Sequence, residues 1–276
     1  MRAGVSTACL YPKLLEESLY DLALNGIGHT EIFVNTDSEL NKSYVGGLRE
    51  TMRHFEVSCR SVHPYTCAME PMMFFSGYSR RIGDALEYYK RYFEAMNILE
   101  AEIFIFHGNK SIMNTPNELY FESFYRLVRT AAEFGIIVAQ ENVSRCSSGS
   151  LSFMKEMAKS LKDDAKFVLD IKQAVRAGES SFEILKTLKD HIVHVHISDH
   201  GEMGDCLRIG RGRFNVKGFL SLLNEYSPDC SVMLELYRSN FDGISDLVGN
   251  YNILRKMISN AEKKNAHLPR IAKSLS

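Results

Sequence analysis

The stretch that decides the fold is His194-Val195-His196-Ile197-Ser198-Asp199. It follows Ile192-Val193, so it opens as a β-branched, buried strand. Two imidazoles stand two residues apart, and on a strand that spacing puts both on one face. A polar loop follows, with Asp199, His200 and the run Ile209-Gly210-Arg211-Gly212. An apolar strand with an inward polar pair, then a long loop, is how a site sits at the C-terminal end of a barrel strand.

Outward from there, strand-like and helix-like segments alternate along the chain, the pattern of βα units around a parallel sheet. Residues 2–6 read as a first strand. Residues 14–25 read as a helix with Leu14, Leu15, Leu19, Leu22 and Ala23 on one face, stopped by Gly26. Further strands are expected at 30–34, 57–62, 103–106, 136–139, 167–169 and 232–234. Helices are expected at 44–55, 82–99, 117–134, 151–161, 182–188, 216–226 and 244–263, with Asn215 as an N-cap. These units predict an α/β fold, a single (β/α)8 TIM barrel over 1–264, followed by a basic C-terminal tail over 265–276 that frays. An open doubly wound sheet would want GxGxxG after the first strand, where the chain reads Ser6-Thr7-Ala8-Cys9.

Composition narrows the function classes. The 276 residues suit one barrel domain. A formal net charge of −1 offers no general field for nucleic acid. The six cysteines form no CxxC pair and read as buried thiols in a reducing cytosol. No apolar run reaches membrane-spanning length and Met1-Arg2-Ala3-Gly4-Val5 has no signal-peptide core, so a cytoplasmic protein without membrane partners is expected. The Met- and Phe-rich loop from Met69 to Phe75 suits a lid or the contact of a homo-oligomer.

The chemistry lies at the strand ends. Five consecutive strands finish at His107, Glu141, Asp170, His196 and Glu235, and the third strand finishes at His63. Carboxylates resist burial unless paired or bound to a cation. Glu141, Asp170 and Glu235 in one mouth would need a divalent ion, with His196 completing an O, O, O, N ligand set. His194, deeper on the same face, would orient Glu141 or Asp170. Glu31 either bonds a neighbouring strand end or faces solvent between strand and helix. Lys110, Arg145, Lys172, Arg208, Arg211, Arg213 and Arg238 follow strands and would suit an anionic group on a substrate, Arg208 and Arg211 above all.

Gln140-Glu141-Asn142, Val168-Leu169-Asp170-Ile171-Lys172-Gln173-Ala174, the His-Val-His-Ile-Ser-Asp stretch and Leu234-Glu235-Leu236 resemble the xylose isomerase-like barrel superfamily, and the likeness begins at Gly26-Ile27-Gly28-His29-Thr30-Glu31. That group holds sugar and sugar-phosphate isomerases and epimerases and the endonuclease IV type of apurinic-site nuclease. The resemblance implies one divalent ion on Glu141, Asp170, His196 and Glu235, Mn²⁺ first and Zn²⁺, Mg²⁺ or Co²⁺ as alternatives. It makes Glu141 and Glu235 the catalytic proton carriers and the partner a small carbohydrate. His63, His107, Gln173, His194, Arg208 and Arg211 are the expected substrate contacts.

Two departures bear on this expectation. Gln173 stands where a His usually follows the strand-six Asp. The loop Asp205-Cys206-Leu207-Arg208 lacks the Asp-x-His of the nuclease branch, so two ligands of a multi-zinc cluster are absent. The expected activity is a metal-dependent isomerisation or epimerisation, moving a proton through an enediolate. An apurinic-site endonuclease, a sugar-acid dehydratase and a non-catalytic ligand-binding barrel are the alternatives.

Overall fold

The computed structural model describes residues 1–266. In chain order the strands are β1 (Arg2–Ser6), β2 (His29–Phe33), β3 (Ser58–His63), β4 (Ile103–Phe106), β5 (Ile137–Glu141), β6 (Lys166–Asp170), β7 (Ile192–Ile197), β8 (Asp199–Gly201), β9 (Gly204–Leu207) and β10 (Ser231–Leu234). The helices are α1 (Leu15–Leu24), α2 (Lys42–His54), α3 (Glu70–Phe74), α4 (Arg80–Leu99), α5 (Asn117–Ala132), α6 (Leu151–Leu161), α7 (Ile171–Ala177), α8 (Ser181–Leu188), α9 (Val216–Tyr226) and α10 (Ile244–Ala266). Eight parallel strands close in the order β1-β10-β7-β6-β5-β4-β3-β2, a single (β/α)8 barrel as the alternating pattern predicts. β8 and β9 form a separate antiparallel hairpin. The expected tail over 265–276 lies outside the described residues from 267 onward.

Alternation along each strand sorts side chains to the two faces. On β4, Phe104 and Phe106 join the large core between sheet and helices, while Ile103 and Ile105 meet Ala139 and Val168 in a separate small cluster inside the barrel. That cluster plugs the interior, so polar side chains further along the strands sit on an apolar floor. Gly4 pairs with Met233, and a Cβ on Gly4 would overlap the Met233 sulfur. Cys9, Cys59, Cys146, Cys206 and Cys230 are buried and Cys67 is half-buried. Among the described residues no helix is long and apolar enough to cross a membrane.

Three elements at the mouth depart from the sequence reading. Strand six runs straight into α7, with Asp170 as N-cap accepting from the Gln173 amide and Gly178 ending the helix at φ +72°. The loop after β7 folds as the β8–β9 hairpin. The Met- and Phe-rich loop contains α3, which buries Glu70, Pro71 and Phe74. Asn215 caps α9 as expected, accepting from the Gly218 amide.

Candidate metal centre

Register brings the strand ends to one level. His196 pairs with Asp170 on one side and Met233 on the other; Glu235 follows β10 directly and Glu141 closes β5. One ligand atom from each of Glu141, Asp170, His196 and Glu235 lies within 4.8 Å of all the others. His196 Nδ1 stands 3.2 Å from Glu141 Oε1, 3.7 Å from Asp170 Oδ2 and 3.7 Å from Glu235 Oε2. The side chains of Glu141, Asp170 and His196 are sealed, and that of Glu235 is 15% exposed, facing the mouth.

Neighbouring side chains fix these positions. Asn142 clamps the end of β6 from β5: its amide donates to the Asp170 carbonyl at 3.0 Å, and its oxygen accepts from the Asp170 amide at 2.7 Å. Gln140 donates to the carbonyls of Phe106 and His107 and accepts from the Tyr120 hydroxyl at 2.7 Å. The two amides flanking Glu141 thus tie its strand end to both neighbours. Their burial could not be read from the sequence.

Below the quartet lies a second polar layer. Glu31 is wholly buried inside the barrel, which settles its open reading. Its Oε2 lies 3.0 Å from His196 Nε2 and 3.1 Å from His194 Nε2, and accepts from Ser61 Oγ at 2.7 Å; its Oε1 accepts from Ser6 Oγ at 3.1 Å. An Nε2–H of His196 donating to Glu31 leaves the Nδ1 lone pair facing the carboxylates, the arrangement that orients a metal-ligating histidine. His194 corrects an expectation: its nitrogens face Ser231 Oγ and Glu31, so it orients Glu31 rather than Glu141 or Asp170. Fully buried a layer down, it is out of a substrate's reach.

The residues fit a divalent cation. Burying three carboxylates together is unfavourable without positive charge. Among the described residues two of their buried oxygens, Glu141 Oε2 and Asp170 Oδ2, have no hydrogen-bond partner, although the Lys172 ammonium lies 3.3 Å from Asp170 Oδ2. His107 Nε2 approaches Glu141 Oε2 at 2.7 Å without hydrogen-bond alignment. Three oxygens and one imidazole nitrogen suit Mn²⁺ and its neighbours in size and hardness. In the metal-free protein, burial pushes the His196 imidazole pKa down, but the charges of Glu31 and Glu235 hold it well above its ordinary value. Burial likewise pushes Glu31 up, and His196 and His194 outweigh it, so its carboxyl lies well below the usual range.

A second donor set adjoins the first. His63 Nε2 lies 2.9 Å from His107 Nε2, and Glu141 Oε2 lies 2.7 Å from His107 and 3.9 Å from His63. His63 stacks on Phe33 at 4.7 Å between centroids. Glu70, absent from the sequence reading, accepts from the backbone amides of His107 at 3.0 Å and Gly108 at 2.6 Å, so α3 holds the end of β4. A glutamate in a Met- and Phe-rich loop carries no sequence mark of burial.

The remaining expected contacts fall elsewhere. The Gln173 side chain accepts from the Ser144 amide and hydroxyl at 3.1 and 2.9 Å, joining α7 to the loop after β5. Arg208 is paired with Asp246 of α10 at 2.7 Å, and Arg211 is exposed. Neither joins the quartet through a hydrogen bond or ion pair among the described residues. Lys172 differs most from expectation: it is buried, with Nζ 2.6 Å from Glu235 Oε2 and 3.3 Å from Asp170 Oδ2. It reads the protein's own carboxylates rather than an incoming charge.

A closed (β/α)8 barrel with acidic and imidazole groups gathered at the C-terminal end of its strands defines the class. A family model for xylose isomerase-like TIM barrels matches residues 21–259, and the chain belongs to that family. No curated protein matches the sequence. Among solved structures, the chain is similar to a D-tagatose 3-epimerase-like protein (TM-score 0.80, 21% identity, covering 96% of this chain and 100% of that one). It is also similar to a D-psicose 3-epimerase from Clostridium cellulolyticum H10 solved with D-tagatose (0.70, 15%, 97% and 99%). A probable 3-DHS dehydratase involved in petrobactin synthesis from Bacillus anthracis superposes with TM-score 0.73 at 12% identity, over 92% of this chain and 99% of that one. At these identities the likeness is one of fold.

Proposed function

We propose that the chain is a divalent-metal-dependent isomerase or epimerase of a sugar or sugar phosphate, shifting a proton on a carbon next to a carbonyl. The observation that carries this reading is the convergence of Glu141, Asp170, His196 and Glu235 within 4.8 Å, two of their buried oxygens lacking a hydrogen-bond partner among the described residues. The likeness to sugar 3-epimerases supports the same chemistry. Glu141, Asp170, His196 and Glu235 would hold the ion, which supplies Lewis-acid polarisation of a substrate carbonyl. Glu31 fixes the His196 ring through Nε2. Glu235, the most open of the quartet, takes the α-proton from a substrate entering the mouth, and Glu141 holds or returns one. A positioned carboxylate contributes roughly 10²–10⁴ in rate to such a transfer. His63 and His107 flank Glu141 and would contact substrate hydroxyls. With Arg208 paired to Asp246, the reading does not depend on an anionic substrate.

The test is deuterium uptake from heavy water into a panel of ketoses, sugar acids and sugar phosphates with Mn²⁺. Wild type is expected to exchange at least one, with Glu141→Gln and Glu235→Gln each abolishing it. A variant that exchanges normally removes that residue as proton carrier, and a panel with no exchange ends the reading. The His63, His107 and Glu141 donor set favours a second reading, a two-metal phosphodiesterase, which predicts about two ions per chain and cleavage of abasic DNA.

A further inference from the structure

Lys172 is the feature the proposed chemistry leaves unused. It stands two residues after Asp170, in the first turn of α7, where a lysine would ordinarily reach into solvent. Its side chain is instead 6% exposed and turned inward. Its ammonium contacts Glu235 Oε2 and Asp170 Oδ2, two of the atoms the candidate ligand set offers. A divalent ion shared by the quartet would meet this positive charge across the same oxygens. Like charges a few ångströms apart in a site shielded from water repel strongly. The same nitrogen also lies 5.0 Å from the centroid of the Tyr237 ring at the rim of the mouth, a contact it can keep if it leaves the carboxylates. That ring is itself held, since Arg176 donates to the Tyr237 hydroxyl at 2.8 Å and pairs with Asp205 of the hairpin. An aromatic face accepts an ammonium at such a distance.

We propose that Lys172 is a tethered counter-ion that competes with the divalent ion for Glu235 and Asp170. It holds the ligand set together in the metal-free chain, and metal binding displaces it toward Tyr237. The inference rests on the metal-centre reading above and adds that the chain weakens its own affinity for the ion in return for a cluster stable without it. A lysine that only supported the ligands would act in the opposite direction, since losing it would loosen the site and weaken binding.

Calorimetric titration of chelator-stripped wild type, Lys172→Met and Lys172→Gln with Mn²⁺ alone separates the two. Both variants are expected to bind Mn²⁺ about tenfold or more tightly than wild type, the removal of a nearby like charge acting in this direction. Their metal-free forms are expected to melt below metal-free wild type, and the rise in Tm on adding Mn²⁺ to be larger. Equal or weaker binding in the variants overturns the proposal, as does tighter binding in one variant only, which would point to packing rather than charge. A variant that folds only while Mn²⁺ is present, and unfolds on chelation where wild type does not, supports it. Mn²⁺ binding by the variants alone also supports it. Binding by none of the three removes the metal-centre reading and this inference with it.

Discussion

His196 works through both nitrogens, and that decides what its neighbours are for. Nδ1 faces the carboxylate oxygens while Nε2 faces Glu31 Oε2 at 3.0 Å. A neutral imidazole carries one proton, so the partner of Nε2 determines whether Nδ1 is free to ligate. Glu31 is a carboxylate locked by Ser6, Ser61 and His194, and it keeps the proton on Nε2. Glu31→Gln replaces that acceptor with an amide that can turn its donor toward the ring. Mn²⁺ affinity is expected to fall about 10–100-fold, the usual size of such an effect. Titration calorimetry checks it, and an unchanged affinity would mean that the ring is oriented by packing alone. The sequence located His196 and left Glu31 open for a physical reason: a carboxylate in mid-strand faces the interior or the helices depending on register, and β2 carries a register shift between Thr30 and Glu31.

Two mouth elements are held by buried carboxylates that only the folded chain reveals. α3 delivers Glu70 to the amides of His107 and Gly108. Burial pushes the Glu70 carboxyl well above its ordinary value, and the two amides only partly oppose it. A carboxyl whose folded pKa is raised contributes stability that is complete below its unfolded pKa and is lost as pH rises through the folded value. Wild type is therefore expected to lose stability relative to Glu70→Gln, which mimics the protonated form, as pH rises above about 4.5, with the gap widening to a plateau. Tm against pH for both proteins checks this, and parallel curves would contradict it. Asp199 closes the loop after β7: it accepts from the amides of His200 at 2.8 Å, Gly210 at 2.9 Å, Gly212 at 3.0 Å and Phe214 at 3.0 Å. Gly212 allows this closeness, since a Cβ there would overlap the His200 carbonyl and Asp199 itself. Asp199→Ala strands these donors and is expected to cost about 2–4 kcal/mol, at roughly 1–3 kcal/mol for each one kept from water. Faster hydrogen exchange at Gly210, Gly212 and Phe214 would locate the loss; protection equal to wild type would show that the loop is held otherwise.

At the scale of the whole barrel, the parts legible in the sequence are those that periodicity and strand-end position determine. β7 and its neighbours alternate as their residues predict, and Glu141, Asp170, His196 and Glu235 converge because each stands at, or within one residue of, the C-terminal end of its strand. Lys172, Glu70 and the pairing of Arg208 with Asp246 were not legible, because the burial of a charged side chain depends on partners far along the chain. Joining four adjacent strands of the barrel also makes the proposed metal centre a test of global stability. An ion that binds the folded chain and not the unfolded one stabilises it by about 2.7 kcal/mol when present at a hundred times its Kd. For a barrel of this size that corresponds to a rise in Tm of about 5–10 °C, at roughly 2–4 °C per kcal/mol. Chelation is expected to reverse the rise, and metal analysis of the dialysed protein to give about one ion per chain. His196→Ala should bind less Mn²⁺ and lose most of the metal-dependent rise. If His196→Ala gains as much from Mn²⁺ as wild type does, the ion sits elsewhere, with His63 and His107 as the nearest other donors.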